Sequence, residues 1–196
     1  MKILRDAHLG ETASIVGMGP SLRSLRARDV PPGPVIALNH AILHIRPLRL
    51  PNPIYVMQKD GCIPHGEIGA RPIAIPTRNC ICPSPRVVKP LPPEILLLSA
   101  AESSHCFRRY EFRHVFDVQA DFGLPWNTMS TPVAASIARW MGCTSLRMIA
   151  HDAYTRGLFG RAGTSGVKPG SAKGYRRAAV QARQYAESVG MAIEFR

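Results

Sequence analysis

The apolar run at residues 146–150 breaks off into His151 and Asp152, with Tyr154 two residues on. Together these side chains cover the needs of a group transfer. An imidazole titrates near neutral pH and takes the proton of an attacking hydroxyl, a carboxylate orients or balances charge, and a phenol donates to a departing phosphate. His151 is therefore the expected base, Asp152 a site residue and Tyr154 a donor to the leaving group. Adjacent strand residues point to opposite faces, so His151 and Asp152 share a pocket only where the strand has already ended. Beyond them, residues 155–170 carry five glycines together with Arg156, Arg161 and Lys168, which reads as an exposed, mobile basic loop, either a lid able to close over an anion or ordinary disorder.

A second cluster follows an earlier apolar run: Ser14-Ile-Val-Gly-Met-Gly-Pro-Ser-Leu22. Gly17 and Gly19, with Met18 between them, offer backbone angles closed to other residues and admit a ligand close to the main chain. Pro20 suits a first helical turn, and the Ser21 hydroxyl caps free amides or donates to a phosphate. The segment reads as a phosphate-binding strand, turn and helix start. Leu22 stands where the dinucleotide fingerprint has its third glycine, so this is not a standard NAD site. The plain alternative is a turn that only reverses the chain.

These clusters need a scaffold that brings strand ends together. Short runs apolar on both faces occur at residues 14–16, 35–38, 54–57, 73–75, 146–150 and 191–195, a pattern suited to the interior of a parallel sheet. The expectation is an α/β class, one Rossmann-like domain over residues 1–196, with helices near 20–28, from Ser130 or Thr131 to Met141, and over 171–189. Residues 76–118 read as an irregular excursion. Ligands of parallel sheets sit outside the carboxyl ends of the strands, which adds Asn39 after the second run and Asp60 after the third. Asp60 suits either a Mg²⁺ ion bridging substrate phosphates or a hydrogen bond to a base or ribose.

Twenty-five Lys and Arg against thirteen Asp and Glu give a formal charge of +12. The excess is mostly arginine, which favours bidentate phosphate contacts, so the expected partner is anionic: a nucleotide donor, a nucleic acid or an acidic glycan. A solvated basic surface is the plain alternative. Five cysteines without a regular framework point to reduced thiols, and Cys80-Ile-Cys82 lacks a second pair at zinc spacing, so no metal site is expected. His40, His44, His65, His105 and His114 are scattered rather than spaced as ligands. No apolar stretch approaches the roughly 20 residues of a membrane span, and the first residues lack the pattern of a secretory signal, so a cytoplasmic protein is expected.

The order of these pieces resembles the bacterial sialyltransferases of the Campylobacter type and the related archaeal 6-hydroxymethylpterin diphosphokinase-like proteins. Those families have a Gly-x-Gly-Pro-Ser-Leu turn after the first strand, an Asn after the second and an Asn or Asp after the third. A Ser-rich turn, an Ala-rich helix, a Gly and a strand ending in Gly-x-Asp come later. The matching residues here are 17–22, Asn39, Asp60, 130–142 and Ala150-His151-Asp152, with Ala150 in place of the glycine. The resemblance implies that residues 17–21 and Asn39 hold the phosphate and ribose of a nucleotide, with Ser130 and Thr131 near the phosphate. The expected activity is a nucleotide-sugar-dependent glycosyl transfer with a CMP- or UDP-type donor. The alternatives are an ATP/Mg-dependent pterin or nucleotide diphosphokinase and a non-catalytic nucleotide- or nucleic-acid-binding module.

Overall fold

In the computed structural model, the residues described are 4–38, 41–57, 67–68, 71–72, 96–98, 115–116, 130–152 and 169–196. Seven strands form one sheet: β1 (Thr12–Val16), β2 (Val35–Leu38), β3 (Ile54–Met57), β6 (Leu96–Leu98), β7 (Val115–Phe116), β8 (Ser145–Ile149) and β9 (Ala192–Phe195). Their order is β7-β6-β3-β2-β1-β8-β9, with every neighbouring pair parallel. A separate antiparallel pair joins β4 (Glu67–Ile68) and β5 (Arg71–Pro72). Residues 73–75, expected as a strand, lie outside the described residues.

The central strands are buried on both sides because their side chains are apolar at successive positions. Ile15, Ile36, Met57 and Met148 face one core, while Val16, Val35, Ala37 and Val56 face the other. Each fully buried Ile or Met contributes roughly 1.5–3 kcal/mol. Helices α2 (Ser130–Trp140) and α3 (Pro169–Ser188) cover the first face. Ala134, Ala135 and Ala138 of α2, and Ala182 and Ala186 of α3, are fully buried, so the two helices approach closely. Gly142 (φ 89°) and Gly190 (φ 71°) end these helices in left-handed turns.

The opposite face is covered by α1 (Ile42–Ile45) and by the segment after β1. The single helix expected over residues 20–28 is instead two short 3-10 turns, Pro20–Ser24 and Ala27–Asp29. Leu22 and Leu25 still face the core, and their three-residue spacing fits a 3-10 turn as well as an α-helix. Connections stepping from β1 towards β3 thus lie on one face and those stepping towards β9 on the other, as one crossover hand throughout requires.

The amino edge of the sheet is tied by side chains rather than open. His8, buried, bonds the Tyr55 hydroxyl through Nε2 at 2.7 Å and the Glu11 carboxylate through Nδ1 at 3.2 Å. Burial, with Cys143 and Glu11 nearby, pushes the Tyr55 phenol up to about 12. Cys143 is fully buried beside α2, and desolvation with the Glu11 charge pushes its thiol up to about 12 as well. No helix among the described residues is long and apolar enough to cross a membrane.

Candidate functional site at the carboxyl edge

The chain runs outward from β1 through β2 and β3 to β7, then returns to lay β8 against the other side of β1. The reversal leaves a crevice between the carboxyl ends of β1 and β8, the place where open parallel sheets bind ligands. The turn after β1 and the segment after β8 meet there. Gly17 N–H donates to the Ile149 carbonyl at 2.8 Å and Gly19 N–H to the Ala150 carbonyl at 2.8 Å.

The two glycines are required by this approach. Neither has a positive φ, contrary to the expectation of special backbone angles. A Cβ on Gly17 would lie 2.5 Å from the Ala150 carbonyl oxygen, and one on Gly19 would run into the Asp152 carboxylate. Of the amides expected to receive a phosphate, those of Gly17, Gly19 and Ser21 are bonded within the protein. The Ser21 N–H is shared between the two Asp152 carboxylate oxygens at 3.2 and 3.3 Å, and Ser21 Oγ donates to Oδ1 at 2.7 Å. Asp152 thus caps the 3-10 turn that begins at Pro20.

Ala150 ends β8 in a left-handed conformation, φ 55°, at the position where the resembled motif has glycine. This twist stops the strand alternation. His151 then turns back over β1, its Nε2–H donating to the Ile15 carbonyl at 3.1 Å, while Asp152 reaches the glycine turn. That bond leaves the Nδ1 lone pair of the neutral ring as its basic site. Burial pushes the His151 imidazole down to about 4, against the smaller opposing effects of the Ile15 carbonyl and the Asp152 charge, so it is neutral at physiological pH.

His151 and Asp152 line one wall of a cleft of about 640 Å³. The size falls within the range of small-molecule sites. Phe195 and Arg196, at the carboxyl end of β9, also line it, and α3 supplies Val180, Arg183, Gln184 and Glu187. The Arg183 guanidinium lies over the Phe195 ring, 5.1 Å from its centroid, and His151 meets the same ring edge-on at 6.5 Å. The Arg183 guanidinium, a neutral imidazole, the Asp152 and Glu187 carboxylates and an aromatic ring line one space, while the Arg196 guanidinium pairs with Glu194 at 2.7 Å. Such a set can hold an anionic, partly planar ligand beside a proton acceptor.

Of the residues expected from sequence, Gly17, Met18, Gly19, Pro20, Ser21, His151 and Asp152 gather at the β1–β8 crevice. Ser130 and Thr131 open α2, Thr131 buried and Ser130 partly so. The short link from α2 to β8 fixes its C-terminus at the amino edge, and a run of roughly 16 Å carries its first turn to the carboxyl edge. Asn39, Asp60 and Tyr154 lie outside the described residues, as does most of the basic 155–170 loop. Among the described residues no group of three or more His, Cys, Asp or Glu side chains is placed to hold a metal ion. Sequence reasoning missed Phe195 and Arg196 as lining residues. They obey the rule that singled out His151, since they end a parallel strand at its carboxyl edge.

Comparison with protein-family models, curated proteins and solved structures returns no match. The α/β class stands on the parallel sheet itself, and the chemistry has to be argued from the cleft.

Proposed function

We propose that the protein is a nucleotide-sugar-dependent glycosyltransferase whose donor lies in the cleft beside His151. The observation that carries this reading is the placement of Arg183 and Phe195 beside His151 in a cleft at the carboxyl edge of a parallel sheet. Arg183 holds the donor phosphate, and Phe195 provides an apolar surface against which a ring packs. An acceptor hydroxyl oxygen bonds to the anomeric carbon as the bond from that carbon to the phosphate oxygen breaks. The hydroxyl proton passes to His151 Nδ1, and the electron pair leaves with the nucleotide, whose new charge Arg183 balances.

A base with so low a pKa is unprotonated but correspondingly weak at neutral pH, and the acidic limb of activity then falls well below that of an ordinary histidine. Asp152, bonded to Ser21, holds the β8 end against the glycine turn and so fixes the position of His151. The charge of +12 favours an anionic donor and acceptor in the same field.

Thermal shift against CMP, UDP, GDP, ADP and ATP, their sugar conjugates, and Mg²⁺ tests the reading, because a ligand of the native state raises its apparent stability. A shift with a pyrimidine nucleotide or its sugar, diminished in Arg183→Ala, is expected. A shift confined to ATP with Mg²⁺ would replace the transferase by the diphosphokinase.

A further inference from the structure

From the outer face of α3 we infer a second binding surface, a track for nucleic acid that leads into the cleft. Successive helical residues step by about 100°, which puts Lys173, Arg177, Val180 and Gln184 on one stripe, with Arg183 at its margin. All five are exposed. The opposite side of the helix, Ala178, Ala182 and Ala186, is buried. The stripe therefore points straight away from the core, and it enters the cleft at Val180, Arg183 and Gln184.

The charges on α3 are arranged against the helix's own interest. A helix favours acids in its first turns and cations in its last. Here Lys173, Arg176 and Arg177 occupy the N-terminal half, and neither an acid in the first turn nor a base in the last complements the dipole. Glu187 is the only acid in the segment Pro169–Ser188. Among the described residues no carboxylate pairs with Lys173, Arg177 or Arg183. Lys173 and Arg177, placed where the dipole disfavours them and without a carboxylate partner among the described residues, indicate a partner that supplies the negative charge.

Nucleic acid fits this face better than a membrane does. A basic helix on a lipid surface inserts its apolar side, and α3 has spent that side on α2 and the sheet. The cations are mainly arginine, which pairs with phosphate through two parallel bonds and also stacks on bases. Val180, 53% exposed among them, and the Arg183–Phe195 stack give bases an apolar surface next to the phosphate track. Only in calling the nucleic acid an acceptor does this inference rest on the transferase reading.

The test is fluorescence anisotropy of a labelled oligonucleotide of about 12 nucleotides, single-stranded and duplex, with the full chain at about 50 mM salt. Lys173→Glu with Arg177→Glu should weaken binding roughly tenfold or more and flatten the salt dependence by about two phosphate contacts. Arg28→Glu with Arg49→Glu makes the same charge change away from α3 and should cost less than about threefold. Phe195→Leu keeps apolar volume in the cleft and should still weaken binding. Equal losses in the two charge pairs, or no binding of either form, would overturn the inference. A sulfated oligosaccharide of matched charge binding as tightly, with Phe195→Leu silent, overturns it in favour of a glycan. A nucleotide thermal shift without oligonucleotide binding overturns this surface and leaves the transferase standing. Oligonucleotide binding without any nucleotide shift upholds the surface and removes the transferase.

Discussion

Ser21 and Asp152, 131 positions apart in the chain, are joined by three hydrogen-bond contacts, the shortest from Ser21 Oγ at 2.7 Å. The carboxylate takes the place at the turn that a phosphate was expected to fill. One side chain thereby satisfies the start of the 3-10 segment and closes β8 onto β1. Asp152→Ala leaves both Ser21 donors without this acceptor, and hydrogen bonds to a charged group contribute about 1.5–3 kcal/mol. Partial exposure reduces this, so urea denaturation should show a loss of about 1–2 kcal/mol. Asp152→Asn should recover part of it, because the amide oxygen still accepts.

Two glycines with opposite surroundings make a matched pair. Gly19→Ala drives a methyl into the Asp152 carboxylate and the Ala150 carbonyl. A loss of about 3 kcal/mol or more, or failure to fold, is expected. Gly174 sits within α3 with nothing within 4 Å of an added Cβ. Gly174→Ala should stabilise the protein by about 0.5–1 kcal/mol in the same denaturation assay.

Ala150 holds φ 55° with its side chain buried among the second core. Left-handed backbone costs a non-glycine residue about 1–2 kcal/mol. Ala150→Gly removes that cost but also loses a buried methyl and adds unfolded-state entropy, each worth about 0.4–1 kcal/mol. The net change should stay within about 1 kcal/mol by thermal melting. Ala150→Val places a branched residue in the same conformation and should lower stability by more than about 2 kcal/mol.

His151 sets a pH dependence of folding. Its ordinary value is 6.5 and burial lowers it to about 4 in the folded chain. Between those values the unfolded chain binds the extra proton, so this contribution is complete above about 6.5 and is lost as pH falls towards 4. Its upper limit is about 3 kcal/mol. Asp152 and Arg183 share the cleft with the ring, so the comparison belongs between wild type and His151→Gln, which carries no titrating group. The wild type should lose more stability than the variant between pH 7 and pH 5. An imidazole signal titrating near its ordinary value in NMR would contradict this.

Local pattern was enough for the frame. Val35–Leu38 and Ile54–Met57 have apolar side chains at every position, which suits a strand covered on both faces. Pro132 near the start and Gly142 beyond the end delimit α2 equally well. The glycine turn was legible as a place of close approach, but not what approaches it. Gly19 is held by Ala150 and Asp152, and a contact across more than a hundred residues leaves no trace in local spacing. Leu22 and Leu25 could not distinguish an α-helix from 3-10 turns, because both bury residues three apart. Strands as short as Leu96–Leu98 and Val115–Phe116 have too few residues to show a period.

Cys143 gives the amino edge of the sheet a built-in clock. Alkylating reagents attack only exposed thiolate, and this sulfur is fully buried with its ionisation pushed up to about 12. Its labelling rate, separated by peptide mapping from those of Cys62, Cys80, Cys82 and Cys106, therefore counts the openings of the α2–β8 corner rather than the reactivity of the sulfur.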